Sequence, residues 1–329
     1  MSEAGVQALS EILPFLPGSI RALVSLLPVS IQSKVEEIRL RQEKPLAISL
    51  PSEDVFLDPE GRITASAEQA YRVTSADMER LIQLISGSSF YALEEELKNG
   101  FITLPGGHRA GIAGKAVLDG GRVRALKFIS ACNIRICREV KGAATKVLPY
   151  VIDRHGGSIY HTVLVSPPRC GKTTMLRDMV RQISNGIPAL GFPGLTVGLV
   201  DERSEIAGCY RGVPKLDVGI RTDVLDGCPK AEGMMMLLRS MSPRVIAADE
   251  IGRQEDVDAL EEVLNAGVKV LITAHGSSLA ELAERPALGE VLRSKMIERY
   301  VILGRTRGAG TVEDIIDGKS LRPLGVRRC

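Results

Sequence analysis

The stretch that decides the fold is Thr162-Val-Leu-Val-Ser-Pro-Pro-Arg-Cys-Gly-Lys-Thr-Thr174. It begins as a short apolar run, which is typical of a buried strand, and apolar residues at helical spacing follow it from Met175 to Ile183. Gly-Lys-Thr at a strand-to-helix turn predicts a phosphate-binding loop, because successive backbone N–H groups and the helix N-terminus attract phosphate oxygens. The residues predicted to hold a nucleotide are Ser166, Pro167, Pro168, Arg169, Cys170, Gly171, Lys172, Thr173 and Thr174.

Three residues of this loop have separate predicted roles. Gly171 lets the backbone approach the phosphates, Lys172 reaches the β- and γ-phosphates, and Thr173 offers its hydroxyl to Mg²⁺. ATP and Mg²⁺ are therefore expected, although no base-reading motif separates ATP from GTP. Ser166 stands where such loops usually have their first glycine, and two prolines follow it. The alternative is an ordinary strand–turn–helix corner with a helix-capping lysine, and the order of strand, loop and helix favours phosphate binding over it.

A second strand that carries chemistry is predicted from Arg244-Val-Ile-Ala-Ala-Asp-Glu250. Asp249 at the end of a strand beside the phosphate-binding loop suits Mg²⁺ coordination through water. Glu250 is then placed to polarise a water molecule that attacks the terminal phosphate. An apolar run that ends in two carboxylates is a weak signal alone, but together with the loop it predicts an NTP hydrolase.

Two further predicted strands end in polar residues, at Val200-Asp-Glu-Arg203 and at Thr273-Ala-His-Gly276. The carboxyl ends of parallel strands converge on one crevice, so these groups are expected near the γ-phosphate. Glu202 is a candidate to orient water or an arginine. His275 is a candidate sensor of the γ-phosphate, and it fits an ordinary turn histidine equally well. The arginines that can reach a phosphate, in this subunit or a neighbour, are Arg135, Arg138, Arg203, Arg211, Arg221 and Arg239.

The pattern of the chain changes near residue 148. Beyond it, short apolar runs alternate with helical periodicity, which predicts a doubly wound, mainly parallel α/β domain over residues 148–329. Residues 1–147 read as a smaller α+β domain. Its predicted elements are a capped helix beginning at Thr74, a helix over Phe90–Lys98, and a hairpin whose strands, 109–118 and 122–129, flank Asp119-Gly-Gly121.

Composition limits the classes of function. The formal net charge is +2, aromatic residues make up 4% and Trp is absent, which argues against a nucleic-acid module that stacks bases on aromatic rings. The six cysteines show no C-x-x-C spacing, so free thiols in a reducing cytoplasm are expected. The apolar N-terminal stretch is interrupted by Pro14, Pro17, Arg21 and Pro28, so no membrane span is predicted and only peripheral attachment stays open.

Several longer motifs resemble one family, the stage III sporulation protein AA family. They are Asp201-Glu-Arg-Ser-Glu-Ile-Ala-Gly208, Gly219-Ile-Arg-Thr-Asp-Val-Leu-Asp226, Lys230-Ala-Glu-Gly-Met-Met-Met236, Ser240-Met-Ser-Pro243, Asp249-Glu-Ile-Gly252 and Thr273-Ala-His-Gly276, with Glu36-Glu-Ile-Arg-Leu-Arg41 and Gly107-His-Arg-Ala-Gly-Ile-Ala-Gly114 in the first half. The resemblance covers nearly the whole chain. That family is in turn similar to the ATPases of type II and type IV secretion machines and pili.

The resemblance implies a RecA-like motor domain behind the smaller N-terminal domain, assembled as a hexameric ring. It implies a cytoplasmic location in the mother cell, where the ring docks on membrane proteins of the sporulation channel facing the forespore. The matching motifs give Lys172, Thr173, Asp249 and Glu250 the nucleotide, metal and catalytic roles, and Glu202 and His275 the positions of an acidic and a histidine box. Arg135 and Arg138 match arginines that reach nucleotide from the N-terminal domain.

Two alternatives to an ATP-driven motor stay open. One is a nucleic-acid-stimulated ATPase on the same core, against which the balanced charge and scarce aromatics weigh. The other is a scaffold that binds ATP and barely turns it over.

Overall fold

A computed structural model describes residues 2–87 and 100–325. The chain divides into two compact units, Met1–Glu139 and Val140–Cys329. The helix predicted over Phe90–Lys98 lies outside the described residues. Among the helices that are described, none is both long enough and apolar enough to cross a bilayer.

The first unit is an antiparallel sheet with helices, as an α+β domain requires. Its helices are α1 (Ser2–Ile12), α2 (Gly18–Ser25), α3 (Val29–Gln32) and α4 (Ser75–Ile85), and its strands are β1 (Glu37–Arg41), β2 (Ala47–Ser49), β3 (Asp54–Leu57), β4 (Ile63–Thr64), β5 (Phe101–Leu104), β6 (His108–Asp119) and β7 (Arg122–Arg135). The strand order is β4-β3-β2-β1-β7-β6-β5. Strands β6 and β7 form the predicted hairpin, which is confirmed.

The start of α4 is confirmed by a capping box. The Thr74 hydroxyl accepts a hydrogen bond from the Asp77 N–H at 3.1 Å, and the Asp77 carboxylate accepts one from the Thr74 N–H at 2.9 Å. Two N–H groups that an isolated helix leaves unpaired are satisfied in this way. Apolar side chains of α4, among them Leu81 and Ile85, then pack into the core of the first unit.

The second unit alternates strands and helices around a mainly parallel sheet. Its strands are β8 (Ile152–Asp153), β9 (Ser158–Ile159), β10 (Thr162–Ser166), β11 (Val197–Asp201), β12 (Thr222–Asp226), β13 (Val245–Ala248), β14 (Lys269–His275), β15 (Arg299–Gly304) and β16 (Thr311–Asp317). Its helices are α5 (Leu148–Val151), α6 (Lys172–Asn185), α7 (Lys230–Ser240), α8 (Gln254–Asn265), α9 (Leu279–Glu284) and α10 (Pro286–Ser294). The main sheet has the order β12-β11-β13-β14-β10-β15-β16.

The sheet of the second unit is covered on both faces. Leu164 of β10 belongs to one buried apolar cluster, whereas its neighbours Val163 and Val165 belong to another. Successive side chains of a strand point to opposite faces, so the two clusters lie on the two sides of the sheet. This is why the central strands are continuous apolar runs, and the prediction of a doubly wound, mainly parallel sheet is confirmed.

Residues 140–147, placed by the sequence in the first domain, fall within the second compact unit. Ala144 and Val147 are fully buried in its core. The Asp178 carboxylate of α6 accepts hydrogen bonds from the N–H groups of Gly142 and Ala144 at 3.1 and 2.8 Å. This segment is therefore held in the second unit by hydrogen bonds to a residue more than 30 positions further along the chain. A local sequence pattern does not reveal such contacts.

Candidate active site

The acidic candidates, His275 and the phosphate-binding loop lie at the ends of four strands that are neighbours in the sheet. Strands β11, β13, β14 and β10 are adjacent and parallel in that order. Their carboxyl ends therefore lie along one edge, as expected for a nucleotide-binding crevice in an open α/β sheet. The sequence could not give this order, which decides which strand ends meet.

The loop between β10 and α6 has the backbone of a phosphate-binding loop. Two of its residues are left-handed, Arg169 with φ of +59° and Gly171 with φ of +78°. Lys172, Thr173 and Thr174 form the first turn of α6, which begins at Lys172. Consecutive N–H groups in alternating right- and left-handed conformations form a concavity that attracts anions.

Of the three residues at which the loop departs from the usual pattern, Ser166, Pro167 and Pro168, only Ser166 is buried. Ser166 is fully buried, and its hydroxyl donates a hydrogen bond to the Pro167 carbonyl oxygen at 3.0 Å. Pro168 and Arg169 are exposed, whereas Cys170 is buried. The side chain in place of the usual first glycine is therefore accommodated within the strand end.

Thr173 and Asp249, the predicted metal pair, are in direct contact. The Thr173 hydroxyl donates to the Asp249 carboxylate at 3.0 Å. The other carboxylate oxygen of Asp249 accepts a hydrogen bond from the Thr273 hydroxyl, which in turn accepts one from the Glu250 N–H at 2.8 Å. Thr273 is fully buried near the carboxyl end of β14, so its hydrogen bonds join the acidic pair to the neighbouring strand.

Glu250 lies among three basic side chains. Its carboxylate is 2.9 Å from Nε2 of His275, 3.6 Å from Nζ of Lys172 and 3.3 Å from Nη1 of Arg203. Burial raises the pKa of the Glu250 carboxyl, but the charges of Lys172, His275 and Arg203 outweigh it and hold the pKa below its usual value. Glu250 also has a φ of +56°, a strained conformation for a non-glycine residue that is concentrated at functional sites.

The site fits a triphosphate with a divalent cation. Lys172 is 6% exposed, and none of the described residues accepts a hydrogen bond from its Nζ. A buried ammonium without an acceptor is costly, and a phosphate oxygen would supply one. The hydroxyl of Thr173 and the carboxylate of Asp249 are oxygen ligands of the kind that Mg²⁺ takes together with phosphate oxygens and water. Among the described residues, no cluster of three or more His, Cys, Asp or Glu side chains could hold a metal by itself.

Glu202 lines the same cleft as Asp249 and Glu250, and it is paired with a lysine. The ammonium of Lys230, at the start of α7, contacts the Glu202 carboxylate, and both residues line the cleft with Arg203 and Glu205. Lys230 is largely buried, with 11% of its side chain exposed. A buried lysine therefore fixes the acidic group that was predicted to orient water or an arginine.

The segment that carries Glu202 and Arg203 is held rigidly by Asp201. The Asp201 carboxylate accepts hydrogen bonds from the N–H groups of Glu205, Ile206 and Ala207 at 2.9, 3.0 and 2.8 Å. Burial nevertheless raises the pKa of Asp201 to about 6. Arg177 of α6 adds hydrogen bonds to the carbonyl oxygens of Glu205 and Ile206, which join the segment to the helix of the phosphate-binding loop.

Arg135 and Arg138 belong to the first unit and have partners there. Arg135 lies 3.6 Å from Glu37, with 57% of its side chain exposed. The Arg138 guanidinium donates to the Val35 carbonyl oxygen, and burial lowers the pKa of Arg138. Their reach to a nucleotide in the second unit stays a prediction.

Two residues that the sequence reasoning did not assign are part of this site. Thr273 connects Asp249 to Glu250, and Lys230 holds Glu202. Both stand at the first position of motifs that carried the family resemblance, Thr273-Ala-His-Gly276 and Lys230-Ala-Glu-Gly233. Their roles depend on the adjacency of β13 with β14 and on the position of α7.

Comparison with known proteins identifies relatives of this chain. A family model described as "Sporulation stage III, protein AA" matches residues 7–322. The stage III sporulation protein AA of Bacillus subtilis (strain 168) is 43% identical over 324 residues, which cover 98% of this chain and all of that protein. An uncharacterized protein, ycf45, of Cyanidium caldarium is 30% identical over 154 residues, or 44% of this chain and 43% of its own length.

Solved structures share the fold at low sequence identity. The ATPase DotB of Legionella pneumophila has a TM-score of 0.54 and 17% identity, with 81% of this chain and 71% of DotB covered. The pilus retraction motor PilT, solved with bound ADP, has a TM-score of 0.54 and 16% identity, with 81% of this chain and 73% of PilT covered. The fold is therefore the predicted α/β one, a RecA-like P-loop NTPase domain with a smaller N-terminal α+β domain.

Proposed function

Because the chain belongs to the sporulation stage III protein AA family, we propose that it hydrolyses ATP and drives a sporulation-associated membrane channel or secretion complex. The observation that carries the enzymatic part is the grouping of Lys172, Thr173, Asp249 and Glu250 along one edge of the sheet. The motor part is supported by the fold shared with DotB and PilT, an ATPase and a retraction motor.

In this proposal the triphosphate binds to the loop Ser166–Thr174. The N–H groups around Cys170 and Gly171 contact its β- and γ-phosphate oxygens. The buried ammonium of Lys172 donates a hydrogen bond to a phosphate oxygen. Thr173 and Asp249 would hold Mg²⁺, which would neutralise part of the charge on the phosphates. These residues position and polarise the γ-phosphate for in-line attack by water.

Glu250 is the proposed general base. Its neighbour His275 is the proposed sensor of the γ-phosphate. While Lys172 lies 3.6 Å from Glu250, the charge of the lysine weakens the carboxylate as a base. A bound phosphate attracts Lys172 more strongly, which frees Glu250 to accept a proton from water. Glu202 keeps its proposed role of orienting water or Arg203, and Arg135 and Arg138 are proposed to complete the site from the first domain.

The direct test is phosphate release by Glu250→Gln and Lys172→Ala beside the native protein. We expect Glu250→Gln to bind ATP and to hydrolyse it at least about 100-fold more slowly, because general base catalysis contributes that much. Lys172→Ala is expected to lose binding. Glu262→Gln and Lys146→Ala make the same changes at exposed positions and serve as matched controls. Equal rates in all five proteins would refute the catalytic assignment.

A scaffold that binds ATP with little turnover is the second candidate. The observation that favours it is the contact of Glu250 with three basic groups, which keeps the carboxylate weakly basic. A scaffold would bind ATP tightly and release phosphate no faster than Glu250→Gln does. A nucleic-acid-stimulated ATPase has no comparable support, and stimulation of phosphate release by single-stranded DNA or RNA would detect it.

The assembly and location are also proposals. We infer a hexameric ring in the cytoplasm of the mother cell, docked on membrane proteins of the sporulation channel, and the family and the fold shared with the ATPase DotB support this inference. Light scattering of the purified chain with and without ATP and Mg²⁺ tests the ring. A monomer in every condition, at concentrations where hydrolysis is measured, would contradict it.

A further inference from the structure

The phosphate-binding loop contacts a second loop that none of the assigned motifs includes. Residues 305–310, here called the 305–310 loop, connect β15 to β16. Strand β15 pairs in parallel with β10, so their carboxyl ends are neighbours. The loop after β15 therefore reaches the loop after β10.

Three hydrogen bonds join the two loops. The Arg305 guanidinium donates from Nε and Nη2 to the Arg169 carbonyl oxygen, at 3.1 and 2.7 Å. The Gly310 N–H donates to the Cys170 carbonyl oxygen at 2.9 Å. The backbones also approach closely, because a Cβ atom added to Gly171 would lie 3.0 Å from the Gly310 nitrogen.

These hydrogen bonds fix the direction of two peptide groups. In a trans peptide the C=O and the following N–H point in opposite directions. With the carbonyl groups of Arg169 and Cys170 held towards the 305–310 loop, the N–H groups of Cys170 and Gly171 point away from it. These are the two N–H groups proposed to meet phosphate oxygens, so the 305–310 loop fixes the direction of these donors through the carbonyl groups of the same peptides.

The 305–310 loop is itself held by hydrogen bonds. The Thr306 hydroxyl donates to the Glu313 carboxylate at 2.9 Å, and the Thr311 hydroxyl donates to the Gly308 carbonyl oxygen at 2.7 Å. Gly308 and Gly310 have φ of +111° and +86°, which favour glycine at both positions. A loop fixed in this way can impose its conformation on its neighbour.

We propose that the 305–310 loop is a clasp that keeps the phosphate-binding loop in its anion-binding conformation before nucleotide arrives, with Arg305 as the positioning residue. The left-handed Arg169 makes that conformation unfavourable for an isolated loop. Without the clasp, only a fraction of molecules holds the competent conformation, and the apparent Kd rises by the inverse of that fraction. This inference rests on the proposed nucleotide site.

The test compares the binding of fluorescent ADP with Mg²⁺, and the kcat and KM of ATP hydrolysis, among variants. For Arg305→Ala we expect Kd and KM to rise about tenfold while kcat stays within about twofold, since Arg305 orients the binding loop and does not meet the reacting atoms. Arg305→Lys keeps the charge and one donor, and an intermediate Kd is expected. Arg307→Ala removes the same charge from the same exposed loop and should leave Kd unchanged.

The outcomes separate the clasp from the nucleotide site itself. If Arg305→Ala binds ADP with the native Kd, the clasp is overturned. An equal rise of Kd in Arg307→Ala also overturns it, because both losses would then come from the removed charge. If Lys172→Ala binds ADP as the native protein does, the proposed function fails instead. Should Arg305→Ala prove too unstable to measure, Arg305→Lys decides: native Kd overturns the clasp, and a raised Kd with unchanged kcat supports it.

Discussion

Thr273 offers a sharp test of how the acidic pair is positioned. Its hydroxyl donates to Asp249 and accepts from the Glu250 N–H at 2.8 Å, and the residue is fully buried. Thr273→Val keeps the shape of the side chain and removes both hydrogen bonds. We therefore expect this substitution to lower activity. Residue 273 is not proposed to contact the substrate, so the loss would come from misplaced Asp249 and Glu250.

The magnitude follows from the two groups left without a partner. A partly buried N–H with no acceptor, together with a carboxylate deprived of a donor, costs about 1–3 kcal/mol. Since about 1.4 kcal/mol corresponds to a factor of ten in rate, misplacement of Asp249 and Glu250 should lower kcat about 10- to 100-fold. The free energy of unfolding should fall by a similar amount, because the same groups are unpaired in the folded protein.

Steady-state phosphate release and chemical denaturation measure the two effects. Thr273→Ser is the matched control, because it keeps the hydroxyl and removes a buried methyl group. We expect it to lose about 1 kcal/mol of stability while kcat stays within about threefold of the native value. If Thr273→Val has native kcat, or if Thr273→Ser loses as much activity as Thr273→Val, the positioning argument is refuted.

Three further predictions concern stability and cation dependence. Asp178→Asn should lower the free energy of unfolding by about 3 kcal/mol, because a buried acceptor of two N–H groups loses its charge. A loss below about 1 kcal/mol, measured by chemical denaturation, would contradict this. Burial and the charge of Lys269 lower the pKa of His161 to about 4, so between about pH 4 and 6.5 the ring is neutral in the folded protein and protonated in the unfolded chain. The free energy of unfolding should therefore fall as the pH drops from about 6.5 towards 4. The expected loss is on the order of 1 kcal/mol after solvent screening. His161→Gln should remove that part of the pH dependence, and an unchanged denaturation profile would count against the assignment. Chelation of Mg²⁺ should abolish phosphate release, and turnover in its absence would exclude the proposed metal role of Thr173 and Asp249.

The strands of the second unit, and the candidate site residues at their ends, could be predicted from local sequence. Buried parallel strands are continuous apolar runs, and the polar residues at their ends, such as Asp249 and His275, stand out against them. The contacts among those ends depend on the sheet order, which no local pattern encodes. No role was assigned to Thr273 or Arg305 for that reason, since each forms hydrogen bonds with a strand or loop that is its neighbour only in the folded sheet.

The division of the chain also depends on long-range contacts. Pro149 and the glycines near residue 156 indicated a boundary by composition, whereas Asp178 and the apolar core hold Ala144 and Val147 in the second unit. Glu250 illustrates the same limit at the level of one residue. Its left-handed backbone and its three basic neighbours come from the sheet around it, and the sequence shows only a carboxylate at the end of a strand.

The most direct measurement of the central claim is an experimental structure of the protein with Mg²⁺ and a non-hydrolysable ATP analogue. We expect the β- and γ-phosphate oxygens at the N–H groups of Cys170 and Gly171 and at Nζ of Lys172, with Mg²⁺ beside Thr173 and Asp249. Glu250 should then be released from Lys172. An analogue bound elsewhere, with Lys172 still beside Glu250, would contradict the account.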